Sequence, residues 1–458
     1  MRAHTCVLNG LIVASLGLTA PSALAAAREE TESSTVEALR NEIQEMKRDY
    51  EDRLRALEDR VEAAEERADD TETAAAAEPS GGSNWMGSAA DSLASASRAF
   101  NPSISAILQG RASFLQGGDG SRPLSGFPVG GETDRGSGGL ALGESELVFS
   151  ANVDDKLYGF FDVSFDQDDI GVEEAYFTTL SLPAGLGLKG GQFLSAIGYH
   201  NERHSHTWDF VDAPLVYEAM LDTSYSDPGV QLTWVAPTDL FFQLGAEVFR
   251  GGAYPAAGAA HRGFGSGSVF AKLAGDLDES NSWKAGLSYL RAKSDGRESA
   301  ALDGSSVSFD GSTDLFIADL VWKWAPFGNF RERNFTFQTE YMHRHDRGRL
   351  ATDVGGGRYR GDEDGFYVQG VYQFMPRWRF GLRYGQLWGD ADLPTLPSGF
   401  LEGDGSSPKR VSAMVDFSNS EFSRFRLQYS FESGGLGDDS LVYLQYILSI
   451  GSHGAHAY

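Results

Sequence analysis

From Ser103 to the end of the chain, apolar and polar residues alternate with a period of two, between stretches rich in Gly, Asp and Ser. The pattern is sharpest over residues 365–389. On the way to Pro376, Phe366, Val368, Gly370, Tyr372 and Phe374 share one face, and Tyr367, Gln369, Val371 and Gln373 share the other. On the return, Trp378, Phe380, Leu382 and Tyr384 oppose Arg377, Arg379, Gly381 and Arg383. Period two means extended strands whose faces meet different surroundings. The aromatic face is too continuous to be left in water, and the arginine face is no dry core. One such hairpin fits a soluble sandwich as well as a membrane barrel; its recurrence separates the two.

About sixteen such segments follow one another, from 103–115 to 441–451, an even count that suits a bacterial outer-membrane barrel. Their connections alternate in length. Asp154-Asp155, Pro183-Ala184-Gly185, Pro237-Thr238, Pro376-Arg377 and 418–421 are short, whereas 116–139, 195–227, 251–264, 294–312, 346–364 and 390–408 are long. A sandwich has no reason to lengthen every second loop, but a barrel with short periplasmic turns and long outer loops does. The pattern therefore predicts an all-β transmembrane antiparallel barrel over 102–458, with an α-helical coiled coil before it. In the last segment Val442, Leu444, Tyr446, Leu448 and Ile450 alternate with polar residues before a terminal Tyr458, which resembles the signal by which such barrels are recognised for assembly.

The first hundred residues read differently. Met1-Arg2, the apolar stretch Val7–Leu18 and Ala23-Leu24-Ala25 predict a secretory signal over 1–25, too short for a spanning helix. Cys6, the single cysteine, lies inside it, so the exported chain has no disulfide. Over 30–72, Val36, Leu39, Ile43, Met46, Tyr50, Leu54, Leu57, Val61, Ala64 and Ala68 form a heptad seam with one four-residue stutter near Tyr50. That seam has no apolar partner within the chain and predicts a periplasmic coiled coil between copies. Residues 73–101 are an Ala/Ser/Gly-rich linker.

Composition sharpens this picture. The 458 residues carry a net charge of -27, which argues against nucleic acid or anionic surfaces as partners. Fifty-five glycines and 12% aromatic residues at low mean hydropathy fit a barrel, where alternate residues alone touch lipid.

The polar parity of each strand names the residues that should line the lumen. Glu144, Glu146, Asp162, Asp166 and Glu247 come from early strands, and Arg379, Arg383, Arg410, Arg424 and Arg426 from late ones, with Arg111 joining the basic group on closure. An acidic wall facing a basic wall would set a transverse field that orders polar solutes; scattered salt bridges are the alternative. The connection 195–227 is the natural one to fold inward. His200, His204 and His206, with Asp209 and Asp212, could hold zinc, since imidazole and carboxylate both bind it, although the spacing matches no structural zinc signature. A polar constriction loop is the simpler reading. His343, His345 and His261 are further candidates to complete such a site. Apart from zinc no cofactor is expected, and no nucleophile elbow, phosphate loop or HExxH points to an enzyme.

Signal, coiled coil, Ala/Ser linker and barrel together resemble a Gram-negative trimeric porin, with a layout like that of the phosphate-selective group. Trp208-Asp209-Phe210-Val211-Asp212-Ala213-Pro214 and the ending Ser452-His453-Gly454-Ala455-His456 also resemble barrels described as zinc-regulated or TonB-dependent receptors. The chain lacks room for the plug and twenty-two strands of the TonB-dependent class. The resemblance implies an outer-membrane, water-filled channel for passive diffusion of small hydrophilic solutes or ions, built as a homo-oligomer with three copies the first choice. Metal uptake, or tethering of the membrane to the cell wall through the coiled coil, are the alternative functions.

Overall fold

A computed structural model describes residues 102–451, except for 119–123, 132–137, 168, 259–262, 302–304, 354, 393–400, 402–406 and 435–436 in the connections. The predicted signal, coiled coil, linker and C-terminal histidines lie outside the described residues, as does His261.

The strands are β1 (Ser103–Leu115), β2 (Gly139–Leu142), β3 (Ser145–Asn152), β4 (Leu157–Phe165), β5 (Ile170–Thr179), β6 (Leu186–Leu194), β7 (Ser226–Val235) and β8 (Phe241–Phe249). They continue as β9 (Ser266–Asp278), β10 (Asn281–Ala300), β11 (Ser306–Trp324), β12 (Asn334–Thr352) and β13 (Gly355–Met375). The last are β14 (Trp378–Asp392), β15 (Lys409–Ser420), β16 (Ser423–Ser433) and β17 (Asp439–Gly451). From β3 on, each pairs antiparallel with the next in sequence, and β1 closes on β17 in the register Gly110↔Tyr446. β2 and β3 both pair with β1 and form one broken stave, so seventeen strands make a closed barrel of sixteen staves. At the break, Gly143 N–H donates to Gln109 O (2.7 Å) and Gln109 N–H to Ser145 Oγ (3.1 Å), which keeps the sheet continuous.

The outer face carries the apolar parity seen in the sequence. Phe161, Leu232, Leu244, Phe316, Phe380, Leu382, Leu427 and Leu444 are all exposed there. A belt of that extent belongs against hydrocarbon, not water. Aromatic pairs gather near the short-turn end: Trp322 with Phe335, and Trp378 with Phe417, have ring centroids 5.7 and 4.8 Å apart. Such rings favour the boundary between lipid and water. Among the described residues no helix is long and apolar enough to cross a membrane, so the strands do the spanning.

Two predicted loops are mostly strand. β10 through β13 run 19–21 residues each, against the ~10 that cross a bilayer. The connections 294–312 and 346–364 therefore shrink to 301–305 and 353–354. The outward face there is polar rather than apolar, which conceals a strand once it has left the lipid. Buried Arg297 pairs with Asp346 at 2.8 Å across this extension, and Val307, Phe309, Leu350 and Tyr359 pack inside it.

Candidate functional site: a loop held across the lumen

The connection 195–225 enters the lumen between β6 and β7, as expected. Asn201 ties its two ends: its amide donates to Ser195 O (2.8 Å) and Tyr225 O (3.0 Å), and its oxygen accepts Tyr225 N–H (2.6 Å). Glu247 of β8 holds the first turn, accepting from Ala196 N–H (2.9 Å) and Ser195 Oγ. Buried Glu340 of β12 accepts from the N–H groups of Tyr199 (3.1 Å) and His200 (2.9 Å) and the hydroxyls of Tyr217 (2.7 Å) and Tyr367 (2.6 Å). Gly198 makes this approach possible at φ 68, because a Cβ there would stand 2.5 Å from both Glu340 Oε2 and Tyr217 Oη. After Pro214 the chain forms α1 (Leu215–Leu221), which ends where Asp222 and Thr223 take positive φ.

The loop's apolar residues form a small core inside the barrel. Leu215, Val216, Met220 and Leu221 of α1 pack on lumen-facing Leu290, Leu315, Ile317, Met342 and Leu387, at the end of the barrel that carries the longer connections. A wholly polar lumen, as strand parity implies, is thus corrected on the β10–β14 side. Those residues occupy the polar parity of their strands, so alternation alone could not separate them from the lipid-facing set.

The loop's charges are matched to the walls. Its histidines meet the acidic wall: His206 Nδ1 lies 2.6 Å from Glu146, and His204 lies 3.2 Å from Glu173, 3.5 Å from Asp162 and 3.0 Å from Glu174. Its acids meet the basic wall. Asp209 pairs with Arg379 at 2.8 Å, Asp212 pairs with Arg383 and lies 3.0 Å from Arg410, and Glu218 pairs with Arg410 at 2.7 Å. Arg424 and Arg426 each donate to a loop carbonyl, of His206 and of Trp208, both at 2.7 Å. Asp416 and Glu432 of the wall also pair with Arg379 and Arg410. The arginine wall is therefore largely neutralised where the loop crosses it.

This arrangement corrects part of the candidate list. His200, His204, His206, Asp209 and Asp212 are not brought together as one metal site. Buried His200 packs tilted against Trp208 and edge-on against Tyr217, ring centroids 4.6 and 4.8 Å away, while the aspartates face arginines. His343 and His345 point outward beside Asp364 and Asp362 on β13. Asp166 belongs to the exposed β4–β5 turn, where it accepts Asp169 N–H (2.8 Å), because β4 ends one residue earlier than parity assumed. Glu144, at the β2–β3 break, stays on the lumen side beside Ser205 of the loop and the Glu173–His204 cluster, and Arg111 lies 5.9 Å from the Tyr443 ring. The strand-parity reading missed Glu173, Glu174 and Glu340. Glu340 was open to the same parity argument on β12. Glu173 was not, because a β-bulge opposite Asp162 and Val163 gives β5 an extra residue there.

Burial, then Arg383 and Arg203, hold His200 well below its ordinary value, so it stays neutral. Burial opposes charge on His204 too, but Glu173, Glu174 and Glu146 outweigh it and raise its value well above the ordinary one. Burial likewise disfavours charge on Asp209 and Asp212, yet Arg379 for the first and Arg383 with Arg410 for the second hold both below the usual carboxylate range. Groups depressed in the folded state stabilise it above their unfolded value of ~3.9, and that stabilisation is lost as pH falls through the folded value. The grip of the basic wall on the loop should therefore persist to about pH 4. Amide hydrogen exchange over residues 208–212 should stay protected from pH 6 down to that point; loss of protection between pH 5 and 6 would contradict it.

No protein-family model matches the chain. A protein of Aquifex aeolicus described as uncharacterized is 29% identical over 349 residues, 70% of each chain. The fold itself decides the class, through closure, the apolar outer belt and the charged interior. It is a closed, membrane-spanning β-barrel. Solved structures of similar fold include the loop L8 deletion mutant of OmpT, an outer membrane protein of Vibrio cholerae (13% identical, 77% of this chain and 100% of that one, TM-score 0.49). Others are the outer membrane channel DcaP of Acinetobacter baumannii (16%, 76% and 97%, TM-score 0.48) and an anion-selective porin from Comamonas acidovorans (10%, 76% and 99%, TM-score 0.47). At such identities the likeness concerns the fold alone.

Proposed function

We propose that this barrel is an outer-membrane diffusion channel for small hydrophilic solutes or ions, its bore set by loop 195–225. The observation that carries this reading is a loop pinned across a charged lumen by its own charges, histidines to one wall and aspartates to the other. A cavity of about 500 Å3 adjoins it, lined by Glu146, Asp162, Glu202, Arg203, His204 and Lys284 among others. A second, of about 210 Å3, is lined by Asp209, Lys323, Gln369 and Arg379 among others. Polar cavities of this kind accept hydrated solutes and disfavour apolar ones. The core around α1 closes one level of the lumen beside β10–β14, and the aqueous path runs past the acidic cluster and, at the level of the second cavity, past Arg379. Segregated walls neutralised by the loop argue against a strong phosphate preference.

Purified full-length protein in planar bilayers should give discrete conductance steps. Replacing 199–224 by a short Gly/Ser link should enlarge them several-fold, because the obstruction is gone. No steps from protein shown to be folded would refute the channel reading. Assembly as three copies belongs to the same proposal and rests on the seam Val36–Ala68; a monomer mass in mild detergent would refute it.

A further inference from the structure

The same loop brings together a group of ligating atoms that no ion pair with lysine or arginine accounts for. Glu146 on β3, Asp162 on β4, Glu173 on β5 and His204 on the loop each present one atom, and these four atoms lie within 4.8 Å of one another. His204 Nδ1 is 3.2 Å from Glu173 Oε1, 3.5 Å from Asp162 Oδ2 and 4.0 Å from Glu146 Oε2. Asp162 is fully buried, and neither of its carboxylate oxygens has a hydrogen-bond partner. Glu146 Oε2, Glu173 Oε2 and His204 Nδ1 lack one as well. Buried carboxylates without donors are costly unless a proton or a cation neutralises them. Of the described cationic side chains only His204 and His206 form ion pairs with Glu146, Asp162, Glu173 or Glu174.

We propose that Glu146, Asp162, Glu173 and His204 form a binding site for a divalent transition-metal ion, which clips loop 195–225 to the acidic wall. Metal–ligand bonds of ~2.1 Å place tetrahedral ligands about 3.4 Å apart, close to the separations already present. Three carboxylates and one imidazole suit zinc or manganese; an imidazole is a poor ligand for calcium or magnesium, which take oxygen. The site differs from the one expected from the loop's own sequence: three of its four ligands come from successive staves. It also differs from a closed structural cage in lying against the 500 Å3 cavity, so an ion can arrive through the lumen. The metal enters with loss of the His204 proton, since both occupy Nδ1.

The test uses the full chain in detergent, stripped with EDTA and titrated with zinc chloride by calorimetry. One site per chain is expected. Asp162→Asn and Glu173→Gln should each weaken it at least ~10-fold, a loss of about 1.4 kcal/mol or more. His343→Ala/His345→Ala should leave that isotherm unchanged, since those rings face outward. Cobalt in place of zinc should give a visible absorption band that disappears in Asp162→Asn. Zinc should also protect Arg203 from trypsin in the wild type and not in the variants. Heat-modifiable migration on gels identifies folded barrels, and Glu173→Gln, at a half-buried bulge, provides a readout if Asp162→Asn misfolds. No zinc binding by folded wild type, or an unchanged isotherm in a folded variant of either ligand, would overturn the site. Conductance steps are scored separately, so a channel without the metal site remains distinguishable from no channel.

Discussion

Glu340→Ala is expected to free the loop while leaving the barrel closed. The carboxylate accepts two backbone N–H groups of the loop and two tyrosine hydroxyls, and it is 1% exposed. Its removal strands four buried donors, each costing ~1–3 kcal/mol if nothing replaces the bond. Such losses are not additive, and water entering the space left by the side chain would recover part of them. A net weakening of about 3 kcal/mol would raise the population of displaced loop roughly 150-fold. Two readouts report it. Trypsin should cut at Arg203 far faster than in the wild type, and conductance should become larger and noisier. Glu340→Gln, which keeps an acceptor but forfeits the charge, should fall between the two. Loop protection and conductance unchanged in Glu340→Ala would mean the loop is held by its wall ion pairs alone.

The second large effect concerns those pairs. Reversing Arg379 and Arg383 to Glu removes the partner of Asp209 and one of the two arginines on Asp212, and sets like charges against both. Arg383 is almost wholly buried, and its guanidinium also lies over the Phe210 ring, 4.5 Å from the centroid. Removing one member of a buried pair costs on the order of 3–5 kcal/mol, because the other is left charged and unpaired. Selectivity should shift strongly toward cations, since two introduced carboxylates join those of the loop while Arg410, Arg424 and Arg426 are left to oppose them. Measured as reversal potential in a salt gradient, the shift should exceed that of Arg424→Glu, whose partner is a carbonyl rather than a carboxylate. An unchanged reversal potential would show that Arg379 and Arg383 do not border the conducting path. Both variants keep the outer apolar belt, so loss of the barrel itself is not expected.

Much of this protein was written in its sequence. The period-two alternation of strands such as β13 and β14 determined which residues face lipid, because a strand turns successive side chains to opposite sides and lipid tolerates only one kind. The recurrence of such segments gave about sixteen staves even though two of the long connections proved to be strand, and the histidine- and aspartate-bearing connection 195–225 was recognisable as the one that folds inward. Three things were decided only by the tertiary structure. Leu290, Leu315, Ile317, Met342 and Leu387 hold lumen parity yet are dry, because α1 brings an apolar surface to them; alternation reports that a face differs, not what covers it. Of the five loop residues that looked like one metal set, His204 and His206 go to one wall, Asp209 and Asp212 to the other, and His200 packs on Trp208 and Tyr217, because charges close in sequence can find stronger partners across a lumen than beside one another. Glu173 joins Glu146, Asp162 and His204 because β5 takes one extra residue opposite β4. A bulge shifts every later side chain by one position, and the pairing of strands, not the order of residues, decides where it falls.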